Sequence, residues 1–180
     1  LHGDAPLETT PILREHLVVA SPAGGSGVPR RSHLRIEDLR NRPLVMFRSG
    51  YDLREATIGA CRAAGFEPRF AVEGGEMDAV LRFVEAGLGI AVVPSMVLAG
   101  RPGLRGTPLV VTEHHAEAAA RRGQPGPGLL RTIALAHRKD VDLTHAARAF
   151  QETLETFLIE AALAGSLPAG VESLASASAG

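Results

Sequence analysis

Phe83-Val84-Glu85-Ala86-Gly87-Leu88-Gly89-Ile90-Ala91-Val92-Val93-Pro94 is the stretch whose reading decides the fold class of this chain. Upstream of it, Met77, Val80, Leu81, Val84 and Leu88 fall at i, i+3, i+4, i+7 and i+11, an apolar helical stripe. Gly87 or Gly89 can take a positive φ and end that helix. Ile90 to Val93 is then a continuous apolar run, as in a strand covered on both faces. Pro94 has no N–H to give to a sheet and marks the strand end. The order helix, glycine, strand excludes a dinucleotide fingerprint. That motif needs strand, glycines, helix, with a third glycine where this chain has Val92.

Working outward, the same alternation continues. Residues 1–11 read as a loop, His16 to Ser21 as a buried strand, and 22–31 as a Gly/Pro/Ser-rich turn. A short helical turn at 36–41 leads to a second buried strand, 43–47. A helix follows over about 52–64, with Asp52 as N-cap and Gly65 as left-handed stop. Arg69 to Glu73 is a third strand, and Gly74-Gly75 turns into the helix 76–86. Beyond Pro94 come a short helix to Leu98, a loop over 100–106, and strands at 109–112 and 130–137. The intervening 114–128 is expected to be exposed and mobile. The last helix is capped by Thr144 or Asp142 and repeats Ala147, Phe150, Leu154, Phe157 and Leu158 on one face. That face needs a cover, so the chain is expected to self-associate or else to expose a sticky surface. Strands alternating with helices predict α/β architecture with largely parallel sheets.

The chain has 180 residues, 45% of them hydrophobic and 22% charged, which fits a globular protein with a sizeable core. No apolar run approaches the ~20 residues needed to cross a membrane, so no membrane partner is expected. A single cysteine, Cys61, excludes an internal disulfide and fits a reducing, cytoplasmic compartment. Small apolar neighbours make it core filler rather than a nucleophile.

Five segments in order resemble the effector-binding domain of LysR-type transcriptional regulators. "FVEAGLGIAVVP" resembles that family's "VaaGlGiallP", and "LREHLVVASP" (13–22) resembles the strand leaving its first lobe. "LRIEDLRNRPLVMFRSGYDLR" (34–54) resembles "v.l.dL...plv.f..g...R", and "AAGFEPRFAVEGGEMDAVLRFV" (63–84) resembles "aGf.P....e......v..lV". "LRTIALAHRKDVDLTHAARAF" (130–150) resembles the closing "R.i.la.r.....s.aa..F". The resemblance spans roughly 12–158. It implies a two-lobed fold like the type-2 periplasmic binding proteins. Residues 1–21 and 107–163 are expected to form a partial first lobe, 22–106 the second, and 164–180 a disordered tail. It also implies a small-molecule effector, often an acid, bound between the lobes, and a homo-oligomer, dimer or tetramer, when full length. DNA would be contacted only through a helix-turn-helix domain. The chain opens on Leu1 and reads as part of something longer, with that domain and most of the first lobe's opening unit outside it. A transporter's solute-binding protein and, less well matched, a small-acid enzyme share the scaffold.

Ligands of open α/β sheets lie at the carboxyl ends of strands, against helix N-termini. That rule selects Phe47, Arg48, Ser49, Gly50 and Tyr51 before one helix, and Glu73, Gly74, Gly75 and Glu76 before the next. The resemblance gives these loops the second lobe's side of the effector cleft. Arg48 can fork onto a carboxylate, and glycines let a ligand approach the backbone. The plainer alternative is that Arg48 pairs with a surface acid and the glycines merely turn the chain. Glu113-His114-His115-Ala116-Glu117 lacks a second cluster at metal-ligand spacing, and no P-loop or nucleophile elbow occurs. No cofactor, metal or catalytic set is therefore expected.

Nineteen Lys and Arg stand against twenty Asp and Glu, a net charge of -1. Duplex affinity comes mostly from neutralising phosphates. This chain alone should therefore give no salt-sensitive shift of duplex DNA in an electrophoretic assay. A salt slope equivalent to several phosphate contacts would contradict that reading.

Overall fold

The computed structural model describes residues 6–25, 28, 31–110 and 129–175. The chain divides into two compact units, Leu1–Glu15 with Arg131–Gly180, and His16–Leu130.

The larger unit is built on a parallel pair, β3 (Pro43–Phe47) and β4 (Arg69–Gly75), in register from Pro43↔Arg69 to Phe47↔Gly75. Between them runs α1 (Asp52–Ala63), and after β4 comes α2 (Met77–Glu85). Val80, Leu81 and Val84 of α2 are buried, as the stripe predicts, while Leu88 is exposed. Gly87, at φ 80°, ends α2 in a Schellman motif. The Leu88 N–H reaches the Phe83 carbonyl at 3.0 Å and the Gly87 N–H the Val84 carbonyl at 2.9 Å. Gly89 serves a different purpose. A Cβ there would lie 2.5 Å from the Pro43 carbonyl oxygen. Its absence lets the chain dock on β3, with Ile90 N–H donating to Pro43 O at 3.0 Å and Val45 N–H to Ile90 O at 2.8 Å.

β5 (Ala91–Pro94) then pairs antiparallel with the second half of β1 (Leu7–Pro22), from Leu17↔Pro94 to Ala20↔Ala91. β6 (Leu104–Val110) takes the other edge of β1, antiparallel, and β2 (Leu34–Arg35) adds in parallel to β6. The α/β architecture thus combines parallel pairs with antiparallel ones contributed by β1. Val19, Ala20, Ala91 and Val93 are fully buried. That explains why both strands read as continuous apolar runs rather than alternating ones.

In the smaller unit, the first half of β1 pairs with β7 (Leu130–Arg138) and with β8 (Val171–Ser173). The last helix, α3 (His145–Leu163), begins with the Thr144 hydroxyl accepting from Ala147 N–H at 3.2 Å. Leu158 and Ala161 are buried, but Phe150 and Phe157 of the expected stripe are 62% and 60% exposed. Glu15 is fully buried and accepts from Arg131 Nε at 2.6 Å.

Several expectations need correction. β1 starts at Leu7, inside the segment read as a loop, because β7 supplies its hydrogen-bond partner. Within the tail expected to be disordered, residues 171–173 form a strand on Leu13 to Glu15, and Leu174 N–H donates to Ile12 O at 2.9 Å. Residues 176–180 lie outside the described residues, as do the 114–128 link and part of 22–31. Asp52 is the first residue of α1, and Tyr51 holds the N-cap position without a side-chain bond. The compact units meet at Glu15/His16 and Leu130/Arg131. Pairing with β5 and β6 holds residues 17–22 in the larger unit.

Gly89→Ala should destabilise the larger unit by about 1–3 kcal/mol through overpacking against backbone. Gly87→Ala should cost about 1–2 kcal/mol through its left-handed φ. Urea midpoints at unchanged slope measure both.

Candidate functional site

β3 and β4 end side by side, so their following loops emerge on one edge of the sheet. Phe47 is the register partner of Gly75, and Arg48 N–H donates to Gly75 O at 3.1 Å. α1 and α2 both start here, with Tyr51 and Glu76 at their N-cap positions, and neither start carries a side-chain cap bond. The first-turn N–H groups of each helix thus retain their partial positive charge. Gly50 at φ 80° and Gly74 at φ 99° take left-handed turns in the two loops. A Cβ at either would meet nothing within 4 Å. Backbone conformation, not crowding, selects glycine there.

The predicted residues come together, with different roles. Phe47 is buried at 1% exposure, so its ring supports the edge from below rather than lining it; it is the last residue of a core strand. Tyr51 stacks on it, ring centroids 4.6 Å apart and planes 7° from parallel. Arg48 Nε donates to Glu76 Oε1, and Nη1 reaches Ser49 O at 3.3 Å. The Glu76 carboxylate, by that hydrogen bond and then by its charge, holds the guanidinium pKa above its ordinary value. Arg48 thus meets the acid that the plainer alternative required. Both side chains stay open to water, at 54% and 62% exposure.

One residue outside the predicted loops belongs to this edge, Arg54, only 15% exposed in its side chain. Its Nη1 donates to the Phe47 carbonyl at 2.9 Å and its Nη2 to Glu73 Oε2 at 2.8 Å, and its guanidinium lies 5.1 Å from the Phe70 ring centroid. Arg54 therefore ties the end of β3 to β4. It closes the quoted segment 34–54, the one sequence signal that pointed to it.

Among the described residues, no group of three or more His, Cys, Asp or Glu is placed to hold a metal. Residues 113–117 lie outside them. No described helix is long and apolar enough to cross a membrane. Cys61 is buried, and desolvation, with a smaller contribution from Glu67, pushes its thiol up to about 11.

A sheet edge with paired strand ends and two helix starts is where open α/β domains take their ligands. The model of the LysR substrate binding domain family matches residues 2–158, and the chain belongs to that family. It is 37% identical over 70 residues to the transcriptional dual regulator GltC of Bacillus subtilis, 39% of this chain and 23% of that protein. The matched stretches cover 23% to 38% of the curated relatives. In structure it resembles the regulatory domain of Synechocystis CcmR, solved with 2-PG: TM-score 0.66, 18% identity, 87% of this chain and 69% of that one. It also resembles full-length CbnR, solved with its target DNA: TM-score 0.60, 25% identity, 79% of this chain and 44% of that one.

Cys61 should resist iodoacetamide at neutral pH in the folded chain, because the thiolate is the reactive form. It should label at once in denaturant. Mass spectrometry before and after unfolding checks this.

Proposed function

We propose that this chain is the effector-sensing domain of a cytoplasmic LysR-type regulator. It would bind a small carboxylate-bearing metabolite at the edge formed by residues 48–51 and 73–76. The observation that carries this reading is the Phe47↔Gly75 pairing, which brings Arg48 and two uncapped helix starts to one edge. A carboxylate there would gain about 0.3–2 kcal/mol from each helix dipole and about 1.5–3 kcal/mol from a charge-assisted bond to arginine. The two units stand as the two lobes of the effector domain. The domain does no chemistry. Its effector acts by shifting populations between arrangements of the full-length homo-oligomer, whose contact with DNA falls to a helix-turn-helix domain.

The test is a thermal-shift screen of small carboxylates, followed by Arg48→Ala. A ligand present well above its Kd raises the melting temperature by mass action. Arg48→Ala should weaken such a ligand about ten- to a hundredfold while the unliganded melting temperature stays nearly unchanged, because Arg48 is exposed. A variant that lowers the unliganded melting temperature yet leaves affinity unchanged would make Arg48 a structural residue and overturn the site.

A further inference from the structure

The edge is cross-linked twice between the β3–α1 side and the β4–α2 side, and the two links differ. Arg54–Glu73 is anchored: its guanidinium is mostly buried, holds the Phe47 carbonyl and stacks over Phe70. A ligand would have to undo all three contacts to open it. Arg48–Glu76 is exposed on both partners, and exposed ion pairs are the weakest kind. It is therefore the link a ligand can exchange.

Resting on the effector reading above, we propose that the Arg48–Glu76 pair sets specificity at this edge. It selects a small ligand carrying both a carboxylate and a protonated amine. A plain anion that takes Arg48 leaves the Glu76 carboxylate without its partner and beside a like charge. A plain cation that takes Glu76 strands Arg48. A ligand with both charges replaces each partner of the pair, so no charge is left over. The surroundings push the same way. The first turns of α1 and α2 also carry Asp52, Glu55 and Asp78. With Glu73 and Glu76 these make five carboxylates, against four guanidiniums: Arg48, Arg54, Arg62, whose charge interacts with Glu55, and Arg101, paired with Asp78 at 2.6 Å. A further bare negative charge enters an edge that already has an excess of them.

Matched probes test this on the isotope-labelled chain: alanine against propionate, and aspartate against succinate. Each pair shares a carbon skeleton and differs by the ammonium group. Titrations follow the backbone amides of residues 48–51 and 74–77. The wild-type chain should bind each amino acid about three- to tenfold more tightly than its deaminated partner. Glu76→Gln should bring that ratio to about one, with propionate and succinate gaining and the amino acids losing. Wild-type binding at this edge with no preference for the amino acids overturns the proposal and leaves the effector reading standing. An unchanged preference in Glu76→Gln also overturns it, since another group would then be the selector. If no probe shifts these amides at high millimolar concentration, the proposal is overturned, while the effector reading is decided by its own screen of carboxylates.

Discussion

Close approach across Gly89 is the constraint on which the larger unit depends. Any side chain there would run into the Pro43 carbonyl, so β3 and the chain entering β5 can meet only over a bare Cα. The hydrogen bonds between Ile90 and residues 43 and 45 form at that contact. They set β5 where β1 can pair with it, and β1 then carries β6 on its opposite edge. Because β3 is pinned at its start by this contact, its far end is placed as well. Phe47 comes level with Gly75, and the two loops of the candidate site share one edge. The candidate site at one end of β3 is thus positioned by packing at the other.

The candidate site shows how an α/β edge handles charge. Helix starts favour anions, and this chain places acids in both first turns and guanidiniums across the gap between the loops. The result is a mesh of opposite charges rather than a single-sign pocket. Arg54 illustrates the anchored kind of contact. A planar guanidinium can satisfy a carbonyl, a carboxylate and an aromatic face together, which lysine's point charge cannot. Arg48 illustrates the other kind, a single exposed pairing with little to hold it. In the smaller unit the same chemistry runs under burial. Glu15 is shielded from water and held by Arg131, because a buried carboxylate without a partner would be strongly destabilising.

Features that rest on residues close in sequence were legible before the fold was known. The stripe on α2, the glycine stops of α1 and α2, the Thr144 cap and the apolar runs of β3 and β5 are each read within a few residues. Their energetics are local: a helical period, a left-handed turn, a hydroxyl two or three residues from an N–H. The site loops were legible for the same reason, since a strand end followed by a helix start is a short-range pattern.

What the sequence by itself determined, then, is which segments are helices, which are buried strands and where the loops of the candidate site fall between them. Tertiary structure alone decided that β1 begins at Leu7 and that residues 171–173 form a strand. Neither segment is a strand by its own composition, and each becomes one because a neighbour supplies hydrogen-bond partners. It also decided that Arg48 meets Glu76 across 28 residues and that Arg54 meets Glu73 across 19. Twenty acids compete for those guanidiniums along the chain, and only the β3–β4 register says which ones lie within reach.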